Sequence, residues 1–280
     1  MKTKADKQFF CDAIKRINGN EHFASCFETF LELALSQFCN NPSDRQQKLW
    51  MQMQKDNDFK EHYLAALAAY GDLAEDYYDP LGDMFMDMIS HGQNGQFFTP
   101  DGLCRLMAKV APIEDYSKIY DPACGSGRTL LAGLKEARKR GLRCNIFGND
   151  LSYTCSKMTL LNLLINQAEG MVTCGDALLN DTENFIYFKI DKVTNLNTFV
   201  SISTYWQYTK RDFEEVRNKR EKWWWMIAQY GWTMYIPETF GNVGKKEIKD
   251  EDEIAPETEM PKIEEKISKV AFGSQLSIFQ

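Results

Sequence analysis

Residues 117–127 have the sequence SKIYDPACGSG, a short segment followed by a turn that contains two glycines. The segment Ser117–Asp121 predicts a β-strand, and Thr129–Arg140 predicts a helix that starts directly after the turn. Gly125 and Gly127 allow the backbone to approach a ligand closely, and free amides at a helix start offer positive potential. The stretch therefore predicts a strand–turn–helix unit that binds a ligand at the turn.

The same alternation of elements continues along the chain. Arg143–Phe147 predicts a second strand that leads to Asp150, Ser152–Gln167 a second helix, and Met171–Cys174 a third strand that leads to Asp176. Strands that alternate with helices in this way form a parallel α/β sheet with right-handed crossovers. We therefore predict such a sheet over residues 117–176, followed by less regular strands at 185–190 and 198–205.

Each of the three predicted strands ends in an aspartate: Asp121, Asp150 and Asp176. Parallel sheets bind ligands at the carboxyl ends of their strands, so the three carboxylates predict one site. Neither a dinucleotide fingerprint nor a phosphate-binding loop is present in the sequence. An acid before the turn suits a ligand with an ammonium group, such as S-adenosyl-L-methionine. Asp121 would bind its ammonium, Asp150 its ribose hydroxyls and Asp176 its adenine amine.

A second motif, GQFFTP, lies upstream of the glycine turn at residues 95–100. Together with DPACGSG it resembles the adenine-specific (N-6) DNA methyltransferases, especially the modification subunits of type I restriction-modification systems. Thr99 and Pro100 also predict an N-cap and first residue for a helix through Ala111. The resemblance implies S-adenosyl-L-methionine as cofactor, with these cofactor-binding residues: Phe98, Thr99, Asp121, Ala123, Cys124, Gly125, Gly127, Asp150, Leu151, Asp176 and Ala177.

The resemblance also implies a fold and a division of the chain. The expected fold class is α/β, a Rossmann-like S-adenosyl-L-methionine-dependent methyltransferase sheet preceded by an all-helical domain. We predict a helical domain at 1–94, the methyltransferase-like domain at 95–243, and a charged mobile tail at 244–280. Within the helical domain, apolar spacing predicts helices at 22–39, 58–70 and 72–90.

One family element is missing from this sequence. The family carries Asn/Asp-Pro-Pro-Tyr/Phe after the fourth strand, where it binds and stacks the flipped adenine. No proline occurs between Pro122 and Pro237. Thr194–Phe199 offers amide and aromatic groups, but without the fixed φ of proline its carbonyls are not held in the same place. No catalytic residue is therefore assigned, and we expect weak or absent DNA methylation.

Two functions fit these observations. The first is a methyltransferase that acts on adenine in DNA, with DNA and a separate specificity subunit as partners. The alternative is a non-catalytic cofactor-binding or DNA-associated module that recruits partners. An aromatic and basic segment at 205–235 suits either base stacking or packing in a core or interface.

Composition narrows the setting. The 280 residues carry 33 Lys and Arg against 40 Asp and Glu, a net charge of −7, which argues against a general nucleic-acid coat protein. The eight cysteines form no Cys-x-x-Cys pair and only three histidines occur, so we expect no metal site. No apolar run reaches membrane-spanning length and no signal peptide is evident. These features predict a cytoplasmic protein with buried, reduced thiols.

The chain ends in Gln275-Leu276-Ser277-Ile278-Phe279-Gln280. Residues 275–279 resemble the Gln-Leu-Ser/Asp-Leu-Phe peptide with which bacterial replication and repair proteins bind the DNA polymerase sliding clamp. Leu276, Ile278 and Phe279 would fill an apolar groove while Gln275 forms hydrogen bonds. The charged segment before them would act as a tether. The alternative is an apolar tail that folds back on the domain.

We predict that a peptide covering residues 270–280 binds a sliding clamp with micromolar affinity, because three apolar side chains and one anchoring amide suffice for a small groove. Fluorescence anisotropy with purified clamp measures the affinity. The double substitution Gln275→Ala and Phe279→Ala should abolish binding. A peptide that ignores the clamp, or a tail protected from proteolysis in the free protein, would contradict the prediction.

Overall fold

The computed structural model describes residues 3–17, 22–90, 97–178, 186–194 and 201–209. The chain divides into two compact units, Met1–Tyr235 and Ile236–Gln280, and every described residue lies in the first. The predicted tail, its terminal peptide, the first two residues of GQFFTP and most of the aromatic segment lie outside the described residues. The domain boundary at 94/95 stays a prediction.

Helices make up the N-terminal part, as predicted. They are α1 (Lys4–Arg16), α2 (Phe23–Ser36), α3 (Asp44–Lys55), α4 (Asn57–Ala74) and α5 (Pro80–Phe85), with short helical turns at Glu75–Tyr77 and Met86–Ser90. Thr3 and Ser43 each form a capping box, which fixes where α1 and α3 begin. The predicted helix at 22–39 corresponds to α2.

The prediction of separate helices at 58–70 and 72–90 is wrong. Helix α4 continues past Gly71 because Tyr70, Leu73 and Ala74 all pack in the core on its inner face. The chain turns instead at Asp76 and Tyr77, whose φ angles are 58° and 63°. Lys135 pairs with the Asp76 carboxylate at 2.8 Å and so helps hold this turn.

The predicted α/β fold is confirmed, and its elements follow the predicted order. Helix α6 (Asp101–Val110) precedes β1 (Ser117–Asp121), α7 (Arg128–Lys139), β2 (Cys144–Asp150), α8 (Tyr153–Ile165), β3 (Gly170–Cys174), β4 (Ile186–Thr194) and β5 (Ser201–Thr209). The described strands form one sheet in the order β1-β2-β3-β4-β5. β1, β2 and β3 are parallel, with Asp121 opposite Gly148 and Asp150 opposite Cys174.

The sheet is mixed rather than wholly parallel. β4 pairs antiparallel with β3, with Ile186 opposite Cys174, and β5 pairs antiparallel with β4. Residues 175–185 are fewer than the roughly dozen that a parallel crossover needs, so the chain returns along the neighbouring edge. Residues 38–41 then cover β5: the Tyr205 amide donates to the Phe38 carbonyl at 2.9 Å, and Asn40 donates back to the Tyr205 carbonyl at 2.9 Å.

One buried apolar cluster includes side chains of the N-terminal helices and of the sheet region. Helix α8 lies at its centre, with all residues from Cys155 to Leu164 buried. Lys157 on α8 is 2% exposed and forms ion pairs with Glu28 and Glu32 on α2. A buried ammonium without such partners would be strongly destabilising, so the two helices depend on each other's charges.

Tyr70 on α4 makes a second polar contact across this core. Its hydroxyl donates to Asn162 Oδ1 on α8 at 2.8 Å, and both side chains are fully buried. Burial also raises the pKa of Tyr70 well above its ordinary value, so the hydroxyl remains a donor at neutral pH.

We predict that Tyr70→Phe lowers the free energy of unfolding by about 1–3 kcal/mol, because it leaves the buried Asn162 oxygen unsatisfied. Urea denaturation followed by circular dichroism measures the change. Tyr63→Phe is the matched control, since Tyr63 is equally buried but accepts its hydrogen bond from the half-buried Gln37. Equal losses in the two variants would contradict the prediction.

Candidate active site

The candidate site lies at the carboxyl ends of β1, β2 and β3. Because Asp121 is opposite Gly148 and Asp150 is opposite Cys174, each aspartate is offset by two residues from the next. Strand spacing and rise then put the Cα atoms of Asp121 and Asp150 roughly 8 Å apart, and Asp176 lies two residues beyond the end of β3. A ligand that contacts all three must therefore be extended and carry several separate polar groups.

The glycine loop, residues 124–127, connects β1 to α7. Gly125 and Gly127 both have left-handed backbone angles, with φ of 56° and 84°. A Cβ at Gly125 would lie 2.8 Å from the Phe98 ring, and one at Gly127 would lie 3.0 Å from Thr159 Oγ1. Both positions therefore require glycine, for conformation and for space.

Two helical side chains on α8 hold the carbonyl groups of this loop. Thr159 Oγ1 donates to the Gly125 carbonyl at 2.8 Å, and Asn162 Nδ2 donates to the Ser126 carbonyl at 2.9 Å. Thr159 and Asn162 are three residues apart and so lie on one face of the helix. Neither residue was among the predicted site residues, although a single amide within the apolar run LLNLLI was a signal of a buried polar partner.

Asn149, on β2, connects the loops that follow β1 and β3. Its side chain is buried and donates to the Pro122 carbonyl at 3.3 Å and to the Gly175 carbonyl at 2.9 Å. Its Oδ1 accepts from Thr173 at 2.7 Å, and its backbone carbonyl accepts from the Cys124 amide at 2.8 Å. Asn149 was not among the predicted site residues either, although its position directly before the predicted site residue Asp150 was an available signal.

The predicted carboxylates hold the same loops. Asp150 accepts from the Gly125 and Ser152 amides, each at 2.8 Å, and so ties the glycine loop to the start of α8. Asp121 accepts from the Ala123 amide at 3.1 Å and from the Thr129 hydroxyl. Asp176 accepts from the Leu178 amide at 2.9 Å. Each carboxylate oxygen has two acceptor positions, so these bonds leave capacity for a ligand.

Phe98 brings the second motif to the glycine loop. Its ring stacks on Phe85 of α5 with centroids 5.7 Å apart and lies over Gly125. Thr99 does not cap the following helix as predicted. Pro100 is the N-cap, because its ψ of 138° is extended and helical angles begin only at Asp101.

The remaining predicted residues differ in exposure. Cys124 is buried, and burial raises the pKa of its thiol well above the ordinary value. The thiol is therefore uncharged and does not act as a nucleophile. Ala123 and Leu151 are exposed beside the strand ends, and Ala177 is half-buried. Across the described parts of the chain, no group of three or more His, Cys, Asp or Glu side chains could hold a metal ion.

Of the segment Thr194–Phe199, only Thr194 lies among the described residues. β4 begins beside Cys174 and runs antiparallel to β3, so Thr194, which pairs with Ser201, lies at the opposite end of the hairpin. Eight residues of strand correspond to a separation of about 27 Å from Ile186. Residues 195–199 lie outside the described residues, so a role of this segment in place of the missing base-binding motif stays a prediction. Farther on, Tyr205 is a core residue that contacts Phe188, which favours packing over base stacking for the start of the aromatic segment.

Comparisons with known proteins place this geometry in a family. The chain is similar to the type I restriction enzyme MjaIX methylase subunit of Methanocaldococcus jannaschii, at 34% identity over 90 residues, covering 31% of this chain and 16% of that protein. It is 31% identical over 135 residues to the MjaVIII methylase subunit of the same organism, covering 44% of this chain and 23% of the relative. The chain thus spans less than a quarter of the length of either curated relative.

Among solved structures, one described as a class I S-adenosylmethionine-dependent methyltransferase from Listeria monocytogenes aligns with a TM-score of 0.43 and 18% identity, covering 64% of this chain and 55% of that one. The family model for N-6 DNA Methylase matches residues 70–252. That match extends over more than half of the chain and contains the glycine loop, the three strand-end aspartates and Phe98. The chain belongs to the N-6 DNA methylase family.

Proposed function

We propose that this chain is the cofactor-binding part of a type I restriction-modification methylase subunit, which transfers a methyl group to the exocyclic amine of adenine in DNA. The observation that carries the proposal is the row of three aspartates at the ends of parallel strands, beside a glycine loop that Phe98 covers. The cofactor is S-adenosyl-L-methionine, the methyl donor of the family. Its ammonium, ribose and adenine form the extended series of polar groups that the aspartate spacing requires.

The predicted residues divide along the length of the cofactor. Asp121 binds the ammonium, and Phe98 and Thr99 close the methionine end. Ala123, Cys124, Gly125 and Gly127 form the wall along which the sulfonium end lies. Asp150 accepts the ribose hydroxyl groups, and its two bonds from backbone amides fix its orientation beforehand. Leu151, Asp176 and Ala177 surround the adenine, with Asp176 as acceptor for the amine.

DNA and a specificity subunit are the proposed partners. The relatives are named methylase subunits of type I restriction enzymes, which supports an assembly with other subunits. All eight cysteines are free thiols, which favours a reducing compartment, so we place the protein in the cytoplasm. Within the described part of the chain, none of the helices has the length and apolar character needed to cross a membrane. The sliding-clamp peptide is a further prediction.

The chemistry requires direct attack of an uncharged adenine amine on the activated methyl group. Positioning and a hydrogen-bond acceptor for the amine matter more than a strong base. This sequence lacks Asn/Asp-Pro-Pro-Tyr/Phe, the element that provides both acceptor and stacking surface. That absence favours a second candidate function: a module that binds the cofactor without catalysing transfer and recruits partners.

We predict that the chain binds S-adenosyl-L-methionine in isothermal titration calorimetry, and that Asp121→Ala or Asp150→Ala weakens binding by about 1–3 kcal/mol, because each leaves ligand donors unpaired. Asp115→Ala is the control, since this exposed carboxylate pairs with Arg143 and lies before the start of β1, at the opposite end of that strand from Asp121. Heat release from wild type that is indistinguishable from buffer would refute cofactor binding.

We predict that the purified chain alone transfers methyl groups to adenine weakly or not at all, because it lacks the element that holds the flipped base. Incubation with labelled cofactor and unmethylated DNA, followed by detection of methyladenine, measures the activity. The same preparation must bind cofactor by calorimetry, so that a negative result does not reflect misfolding. Robust turnover would overturn this prediction, and Asn195→Ala would then test whether 194–199 participates after all.

A further inference from the structure

The buried carboxylate of Asp79 contacts the glycine loop at Ser126 and is not one of the predicted site residues. Its side chain is 1% exposed. Oδ1 accepts from the Gly82 amide and from Asn162 Nδ2, each at 2.8 Å. Oδ2 accepts from the Ser126 hydroxyl and from Arg128 Nε at 3.1 Å. A buried carboxylate that accepts this many hydrogen bonds fixes the segments that supply the donors.

One of these donors, Ser126, belongs to the glycine loop, and another, Arg128, is the first residue of α7 directly after it. Ser126 and Arg128 flank Gly127, whose φ of 84° turns the chain into α7. Asn162 binds the Ser126 carbonyl at the same time as it binds Asp79. Ser126 is therefore held through both its backbone and its side chain, and Gly125 beside it directs its amide to Asp150 at 2.8 Å.

Arg128 extends the network away from the loop. Its guanidinium also pairs with Asp83 at 2.7 Å, and Lys7 of α1 pairs with Asp83 at 2.7 Å. Burial alone would raise the pKa of Asp83, but hydrogen bonds from Lys7 and Tyr78 and the charge of Arg128 lower it. The Asp83 carboxylate is thus ionised at neutral pH. Arg128 pairs with both this carboxylate and that of Asp79.

Helix α5 packs so closely against the glycine loop that Gly82 has no space for a side chain. A Cβ at Gly82 would lie 2.1 Å from Asp79 Oδ2 and 2.3 Å from Ser126 Oγ. Asp79 caps α5, and Phe85 at the other end of α5 stacks under Phe98, which covers Gly125. Helix α5 therefore supports the glycine loop at two places. Its N-cap Asp79 binds Ser126, and its last residue, Phe85, stacks on Phe98, which covers Gly125.

We propose that Asp79 is a positioning residue of the cofactor site: it holds Ser126 and Arg128 so that the glycine loop keeps its binding conformation, and it makes cofactor affinity depend on the packing of α5. This inference rests on the proposed function, because it takes S-adenosyl-L-methionine as the ligand of that loop. Asp79 does not touch the ligand and acts only through the loop.

Asp79→Asn in the full-length chain is the first test. All partners of Asp79 are donors, so the new amide NH₂ must face a donor and the charge opposite Arg128 is lost. We expect the dissociation constant for S-adenosyl-L-methionine, measured by calorimetry, to rise about tenfold, equivalent to about 1.4 kcal/mol. Ser126→Ala removes only one donor and should raise it less. In the double variant the effects should be less than additive, because both changes break the same contact.

Glu32→Gln is the matched control. Glu32 on α2 is a buried carboxylate, 4% exposed. It pairs with Lys157 on α8, the helix that also carries Asn162, but contacts no residue of the glycine loop in any described hydrogen bond or ion pair. It should lower the melting temperature as Asp79→Asn does while leaving the dissociation constant within about twofold, since its contacts do not reach the loop. A purely structural role for Asp79 predicts equal changes in affinity at equal loss of stability.

Hydrogen exchange of the Gly125 and Gly127 amides provides a readout without ligand. The Gly125 amide donates to the Asp150 carboxylate, and the Gly127 amide donates to the Cys124 carbonyl at 2.7 Å. Asp79→Asn or Ser126→Ala should accelerate their exchange, and Glu32→Gln should not. If wild type binds no cofactor but exchange responds in this way, the proposed function fails and the positioning role stands. Unchanged exchange and unchanged affinity in Ser126→Ala and Asp79→Asn would overturn the inference, and Ser126→Ala alone decides it if Asp79→Asn fails to fold.

Discussion

The fold of this protein depends on one buried carboxylate, that of Asp79, which joins segments distant in sequence. Its hydrogen bonds bring together the start of α5, the glycine loop, the start of α7 and the middle of α8. An aspartate with no solvent around it is stable only when its donors are all in place, so each of those segments must adopt its native position for the others to do so. Tyr70 extends the same network into α4 through Asn162.

On the other side of the glycine loop, Asn149 and Asp150 perform a related task at the strand ends. Asn149 holds the loops after β1 and β3 through two carbonyl groups, and Asp150 holds the glycine loop and the start of α8 through two amides. Polar groups of these loops are thereby oriented before any ligand arrives. Such preorganisation reduces the ordering cost of binding, which suits a site for an extended and flexible cofactor.

The β4–β5 hairpin extends the sheet beyond the parallel strands. β4 runs antiparallel to β3 and away from the strand-end aspartates, whereas β5 runs back, so that Thr209 pairs with Ile186, the residue opposite Cys174. The hairpin contributes to the core through Phe188 and Tyr205. Membership in the N-6 DNA methylase family is compatible with the missing Asn/Asp-Pro-Pro-Tyr/Phe, because the described sheet and glycine loop form without that element.

Local sequence determined the parallel part of the sheet and the site at its edge. The strand at 117–121, the glycines at 125 and 127 and the aspartates at 121, 150 and 176 each follow from short-range rules of periodicity, turn conformation and strand ends. Those rules act within a few residues, so they are visible in the chain itself. The direction of β4, the continuation of α4 past Gly71 and the roles of Asp79, Asn149 and Asn162 depend on contacts between residues far apart in sequence. Only the tertiary structure decided these, because a buried polar side chain is defined by which donors and acceptors surround it, and its identity alone does not reveal them.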